Sequence, residues 1–487
     1  MYWKNGTRIF AAVATALLLS SCAQMGQDPD AVLRNADTAM GASMLKTLRY
    51  AGSGTGATFG QAWQPGMAWP RLNITSFSRV LDYENGAMRE DSARNRAEPN
   101  GGGALPSIGT GEQRTTALVR GGFACNMTGP APVAAPLAVD GRIHDLWTTP
   151  HGVIKAALKN KDGATSRSEG GKSIVSFSEP GRFKAVVWIG ADGLVERIDS
   201  VLPNAVLGDT QVQTQYSDYR DYGGVKFPSR IRQSQGGFPV LDLQVAEVQP
   251  NAPAGIEVPA LVQSFTERVV VEKAAEGVWF LGGGSHNSVA VEMSDHLILV
   301  ESPLYDGRAL AVLAEARKLV PGKPIRYVIN SHHHFDHSGG LRAAVSDGAT
   351  LVTSDQARPW FEQALANPNS INPDALARSG RKATVLGVSG RRVFSDGGRT
   401  VEVLMIEESV HAQGFMMVWL PRERLLVEAD AYTPAAPNAP APAQPNANHV
   451  VLVQNIERMN LNVDRILPLH GRIVPVAELY AAIGRKP

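Results

Sequence analysis

Residues 330–340 read NSHHHFDHSGG and hold four of the chain's eleven histidines. In an extended segment alternate side chains share a face, so His332 and His334 point the same way. Two imidazoles on one side suit one divalent ion, which a third nitrogen would anchor as in three-protein-ligand zinc sites. Asp336 and His337 then enter a turn permitted by Gly339 and Gly340, where they can face a second ion. The apolar run IRYVIN (325–330) leads straight into the cluster, and the C-terminal ends of such strands are where α/β sheets place ligands. Taken alone, the same residues also fit a solvated loop that binds stray metal weakly.

The order His332-His333-His334-Phe335-Asp336-His337 resembles the H-x-H-x-D-H signature of the metallo-β-lactamase-fold hydrolase superfamily. That resemblance implies three further ligands in fixed chain order, each at a strand end. His411 lies between the apolar runs TVEVLMI (400–406) and FMMVWL (415–420), Asp430 ends RLLVEAD, and His470 ends DRILPLH before a glycine. The resemblance then assigns His332, His334 and His411 to one ion, Asp336, His337 and His470 to another, and Asp430 as the bridge. Two such ions lower the pKa of a shared water and clamp the oxygens of a displacement, with Asp336 placed to orient the nucleophile or take its proton. A donor set of nitrogen and oxygen suits zinc best, with iron or manganese as alternatives.

The bridging aspartate also discriminates among relatives. True β-lactamases of this superfamily generally lack it, whereas thioesterase-, lactonase- and phosphodiesterase-like members keep it. The expected activity is therefore cleavage of an ester, thioester, lactone or related bond in a small-molecule substrate. Tyr432 matches a tyrosine that donates a hydrogen bond to substrate in lactonase-like members; a packing role is the alternative. His286, in the glycine-rich GGGSHNS, is either a substrate contact or a structural loop histidine. Glu301 stands where many members carry an aspartate that supports the site, and His333 should point away from its two ligand neighbours. The Pro- and Ala-rich run 435–449 is a candidate lid.

These residues require strands that stop at the site. GVWFLGG (277–283), NSVAVEM (287–293) and HLILVES (296–302) read as strands. DGRALAVLAEARKLV (306–320) reads as an amphipathic helix with Leu310, Leu313, Ala316 and Val320 on its apolar side. A second helical stretch covers 354–368. Residues 260–487 are thus expected to form an αββα metallo-β-lactamase-like sandwich.

Residues 30–250 have another texture, a β-rich domain loosely similar to the half-barrel sheets of periplasmic lipoprotein carriers. A helix is expected over 30–48, with Val32, Ala36, Met40, Met44 and Leu48 on one face and Asp30 as its cap. Strands are expected at 171–179, 182–201 with a GADG hairpin turn, and 240–248. Segments 98–111 and 128–138 are too rich in Gly, Pro and Ala to pack, and 250–259 reads as a linker. The aromatic and basic stretch 216–231 reads as structural strand edges rather than a ligand surface.

The chain begins with Lys4 and Arg8, an apolar run too short to span a bilayer, and Leu19-Ser20-Ser21-Cys22. That order resembles a bacterial signal peptide (1–21) with a lipobox, which implies a lipid on Cys22. With Ala23 following it, the anchor would face the periplasm from the outer membrane. Cys125 then has no disulfide partner and reads as a small buried hydrophobe. A net charge of +1 offers no field for nucleic acid. The expected protein is thus a lipid-anchored, dinuclear-zinc hydrolase. Its rivals are an iron-dependent oxidoreductase on the same fold and a non-enzymatic, ligand-binding lipoprotein.

Overall fold

The computed structural model describes residues 27–97, 111–127, 129, 131–437 and 444–486. Cys22 and most of the segment at 98–111 lie outside them. Among the described residues, no helix is long and apolar enough to cross a membrane.

Among the described residues, thirteen antiparallel strands form one sheet in the N-terminal half. A first meander runs outward from Thr47–Ala57 to Val133–Ala134, and a second returns from Thr165–Glu169 to Phe238–Pro250. They join where the first strand pairs with the last, as in Tyr50 opposite Val248. Helices Pro29–Met40, Val139–Trp147 and Pro150–Lys159 cover one face, sharing a core with Leu48, Tyr50, Phe177 and Phe227.

The first helix is shorter than its periodicity suggests. It is capped by Asp28 and stops at Met40, where Gly41 takes the left-handed conformation at φ 71°. Val32, Ala36 and Met40 are buried, but Met44 is exposed and Leu48 already belongs to a strand. Residues 131–138 of the segment 128–138 are more ordered than its composition implies, with a short strand at Val133–Ala134 and a 3-10 turn at Pro136–Ala138, while residues 128 and 130 lie outside the described set. The stretch at 250–259 is a packed strap: Ile256 and Val258 bury against Ala87, Leu118 and Cys125. Two tyrosines of 216–231 find partners inside the domain, Tyr216 donating to the Thr148 carbonyl and Tyr219 to that of Val195.

The C-terminal half stacks two sheets. Seven strands from Val270–Ala275 to Val385–Val388 form the first, and six from Arg391–Ser395 to Val474–Pro475 the second. Strand Leu297–Val300 shows how they pack. Ile298 and Val300 face the second sheet, meeting Val403, Val418 and Leu426 in one core. Leu297 and Leu299 face the opposite way, onto helices Asp306–Leu319 and Leu341–Ser346. Both faces are covered, so the strand is apolar at every position. Leu310 departs from expectation: it is exposed, and Ala309 and Val312 take its place in the core. Helices Ala447–Arg458 and Val476–Ala482 pack beside the second sheet, giving helix–sheet–sheet–helix layers. The candidate lid is therefore helical at its end, since Ala447, Asn448 and His449 begin the first of these two helices. Residues 438–443 of it lie outside the described set.

Candidate metal centre

Strand Ile325–Ile329 ends just before the histidine cluster, and helix Phe335–Ser338 begins within it. The chain is extended at His334 (φ −60°, ψ 146°), which sends His332 and His334 to one side. Strands Met416–Leu420, Leu425–Glu428 and Arg465–Pro468 bring His411, Asp430 and His470 to the same end of the sandwich.

The side chains converge in two groups, His332, His334, His411 and Asp430 in one, and His286, Asp336, His337 and His470 in the other. In each, one donor atom per residue lies within 4.8 Å of all the others. His332 Nε2 stands 3.1 Å from His411 Nε2, and His337 Nε2 the same distance from His470 Nε2. Asp430 joins the groups. Its Oδ2 is 2.8 Å from His411 Nε2, while Oδ1 is 2.7 Å from His470 Nε2 and 3.1 Å from His337 Nε2. Neighbouring donors on one tetrahedral ion, each bonded at about 2.0–2.1 Å, stand about 3.3 Å apart. The spacings observed are a few tenths of an ångström shorter, close enough for one ion to be shared.

Outer contacts set which ring nitrogen faces inward. His334 donates from Nε2 to the Ala62 carbonyl at 3.0 Å, so its bare nitrogen is Nδ1, which is buried with no hydrogen-bond partner. His470 Nδ1 donates to the Ser285 carbonyl at 3.3 Å, and His332 Nδ1 pairs with Ser331 Oγ at 2.9 Å. Fixing one nitrogen leaves the other as the ligand. His333 turns away and donates to the same Ala62 carbonyl at 2.8 Å. Glu301 does reach the site: it accepts from the Ser331 backbone at 2.6 Å and lies 3.6 Å from His337 Nδ1.

Electrostatics favour a cation here. Burial, reinforced by the neighbouring histidines, pushes His332 and His334 well below the usual imidazole range, so both are neutral and ligand-competent. Burial alone would raise Asp430, but His337 and His411 outweigh it and hold the carboxylate well below its usual range. Asp336 is lowered in the same way, burial being overcome by His337 and by His286 beside it. Between these carboxylates His337 is raised well above its ordinary value, against the effect of burial. Positive charge is stabilised at that point, whether a proton or a metal ion carries it.

One contributor was not legible in the pattern. The loop after strand Thr47–Ala57 crosses from the N-terminal sheet: Gln61 Nε2 donates to Asp336 Oδ1 at 2.8 Å, beside the Ala62 carbonyl. Gly60, at φ 84°, lets this loop lie against Phe335, since a Cβ there would come within 2.6 Å of the ring. His286, expected as a substrate contact or a structural loop histidine, sits 3.1 Å from Asp336 Oδ2. Tyr432 fits the packing alternative. It is 2% exposed, packs edge-on against His449, and burial pushes its phenol up to about 12.

Residues 281–434 match the family described as the Metallo-beta-lactamase superfamily, a span that includes every residue of both groups except His470. No curated protein matches the chain. A metallo-beta-lactamase from Pontibacter korlensis is 18% identical, with a TM-score of 0.34 over 45% of this chain and 98% of that one. A metallo beta lactamase from Hirschia baltica is 18% identical at a TM-score of 0.33, over 44% and 96%. Rubredoxin oxygen:oxidoreductase from the anaerobe Desulfovibrio gigas is 16% identical at 0.35, over 44% and 60%.

Proposed function

We propose, on the premise that residues 281–434 are a metallo-β-lactamase superfamily domain, that this protein is a dinuclear-zinc hydrolase of small esters, thioesters or lactones. One observation carries the reading: the two oxygens of Asp430 face two different histidine sets. A carboxylate so divided is arranged to bridge two ions. His332, His334 and His411 would hold one, and Asp336, His337 and His470 the other. Bound there, a pair of divalent ions supplies a water ionised near neutral pH and positive charge for a developing oxyanion.

The chain's own residues do the rest. Ala62, Ser285 and Ser331 hold His334, His470 and His332 in fixed tautomers, so the donors need no rearrangement. Gln61 occupies Asp336 Oδ1, which leaves Oδ2 as the oxygen that faces the centre and can hold an ion or accept a proton. Glu301 ties the backbone of Ser331 to the strand before it, stiffening the segment that presents both first histidines.

A panel of esters, thioesters, lactones, phosphodiesters and β-lactams, assayed with and without chelator, tests this. Hydrolysis lost on chelation and restored by zinc is the expected result. The nitrogen and oxygen donors also suit iron, so elemental analysis belongs to the same experiment; redox-active iron with no hydrolysis would replace this reading with an oxidoreductase. We further propose that a lipid on Cys22 anchors the protein at the periplasmic face of the outer membrane. Cys22→Ala should then release it into the soluble periplasmic fraction; continued membrane association would sink the anchor.

A further inference from the structure

We propose that His286 is itself a ligand of the second metal ion, giving that site five protein donors against four in the first. The inference rests on the metal-centre reading above. His286 Nε2 lies 3.1 Å from Asp336 Oδ2, the same spacing that separates the paired histidine nitrogens elsewhere in the centre. Its ring packs edge-on against both histidines of that group, with centroids 4.2 Å from His470 and 5.0 Å from His337.

Ser285 orients two rings at once. Its hydroxyl pairs with His286 Nδ1 at 2.8 Å, and its carbonyl accepts from His470 Nδ1 at 3.3 Å. Both histidines are thereby left with Nε2 turned toward one point. Ligating histidines are held in this manner, with the outer nitrogen engaged and the inner one free for the ion.

The loop that carries His286 is built to be rigid. Arg308, fully buried beneath it, donates to the carbonyls of Gly282 at 2.9 Å and Arg268 at 2.7 Å. Asn287, the next residue, donates from its backbone to the Leu469 carbonyl at 2.8 Å and from its side chain to that of Gly471 at 3.0 Å. His286 is therefore locked to the segment that bears His470. A side chain that swings in to meet substrate would not need such bracing. His286, Asp336, His337, His470 and one oxygen of Asp430 together favour an ion that accepts five or six ligands, whereas the first site remains suited to four.

Equilibrium dialysis against Zn2+ with a competing chelator, read by elemental analysis, tests the assignment in the full chain. His286→Phe keeps the ring packing and removes the nitrogen; His286→Ala removes both, and thermal unfolding of the metal-free forms reports folding. Wild type should hold two ions. Both variants should keep one at wild-type affinity and bind the other about 10–100-fold more weakly, since even outer partners of ligands cost that much. With Co2+ in place of zinc, their visible absorption should change in the second-site band alone. Two ions at unchanged affinity in a folded His286→Phe protein would overturn the inference. Wild-type protein that holds no ion would instead overturn the metal centre itself.

Discussion

His151 in the N-terminal domain and His334 in the C-terminal domain have nearly the same surroundings. Each is fully buried, and each donates from Nε2 to a backbone carbonyl, Met40 at 3.2 Å for the first and Ala62 at 3.0 Å for the second. Each keeps an Nδ1 with no hydrogen-bond partner, and burial lowers both. What differs is the company. His151 stacks on Phe227 in an apolar core, with ring centroids 6.0 Å apart. His334 shares its space with His332 and His411, at centroid distances of 4.4 and 4.6 Å, and with Asp430. A buried bare nitrogen is thus no sign of a site. Several converging on one point are.

The strongest way to break this contrast is at the shared carboxylate. Asp430→Ala should weaken both ions and lower kcat/KM by about a thousandfold or more, roughly 4 kcal/mol of barrier, while His151→Phe leaves metal content unchanged. Elemental analysis beside steady-state kinetics decides it. An Asp430→Ala protein with two tightly held ions would remove the distinction drawn here.

A pH titration of stability reads the other side. His151 has a folded pKa of about 4 against an ordinary 6.5, so the unfolded chain binds the extra proton between those values. Its contribution is complete above pH 6.5 and is lost as pH falls toward 4, on the order of 3 kcal/mol in all. Urea unfolding across that range should show His151→Phe losing less stability than wild type. Parallel slopes for the two proteins would contradict the assignment.

The smallest effect concerns the contact between the domains. Gln61→Ala should keep both ions and reduce kcat/KM by about 10–100-fold, because Asp336 loses the donor that fixes its outer oxygen. Unchanged kinetics would mean that the N-terminal loop only covers the centre.

Much of the centre was legible because ligand chemistry and strand periodicity are local. His332, His334, Asp336 and His337 stand at readable spacing, and His411, Asp430 and His470 each follow an apolar run. Helix ends were less legible. The four-residue apolar period continues from Met40 to Leu48, yet Gly41 in the left-handed region ends the helix first. Leu310 misled in a similar way, since the burial stripe of its helix runs through Ala309 and Val312 instead. For Tyr432 the resemblance left a substrate donor and a packing residue open, and its burial against His449 fits the second.

By itself, then, the sequence determined the donor types, their order and the strands that carry them, since each depends on a few neighbouring residues. Tertiary structure alone decided how they meet. A backbone carbonyl has no residue identity, so nothing in the sequence marks Ala62 as the acceptor for His334, 272 residues away. The division of Asp430 between two histidine sets, and the turn of His286 toward Asp336, likewise exist only once two sheets and a loop from a third have packed together.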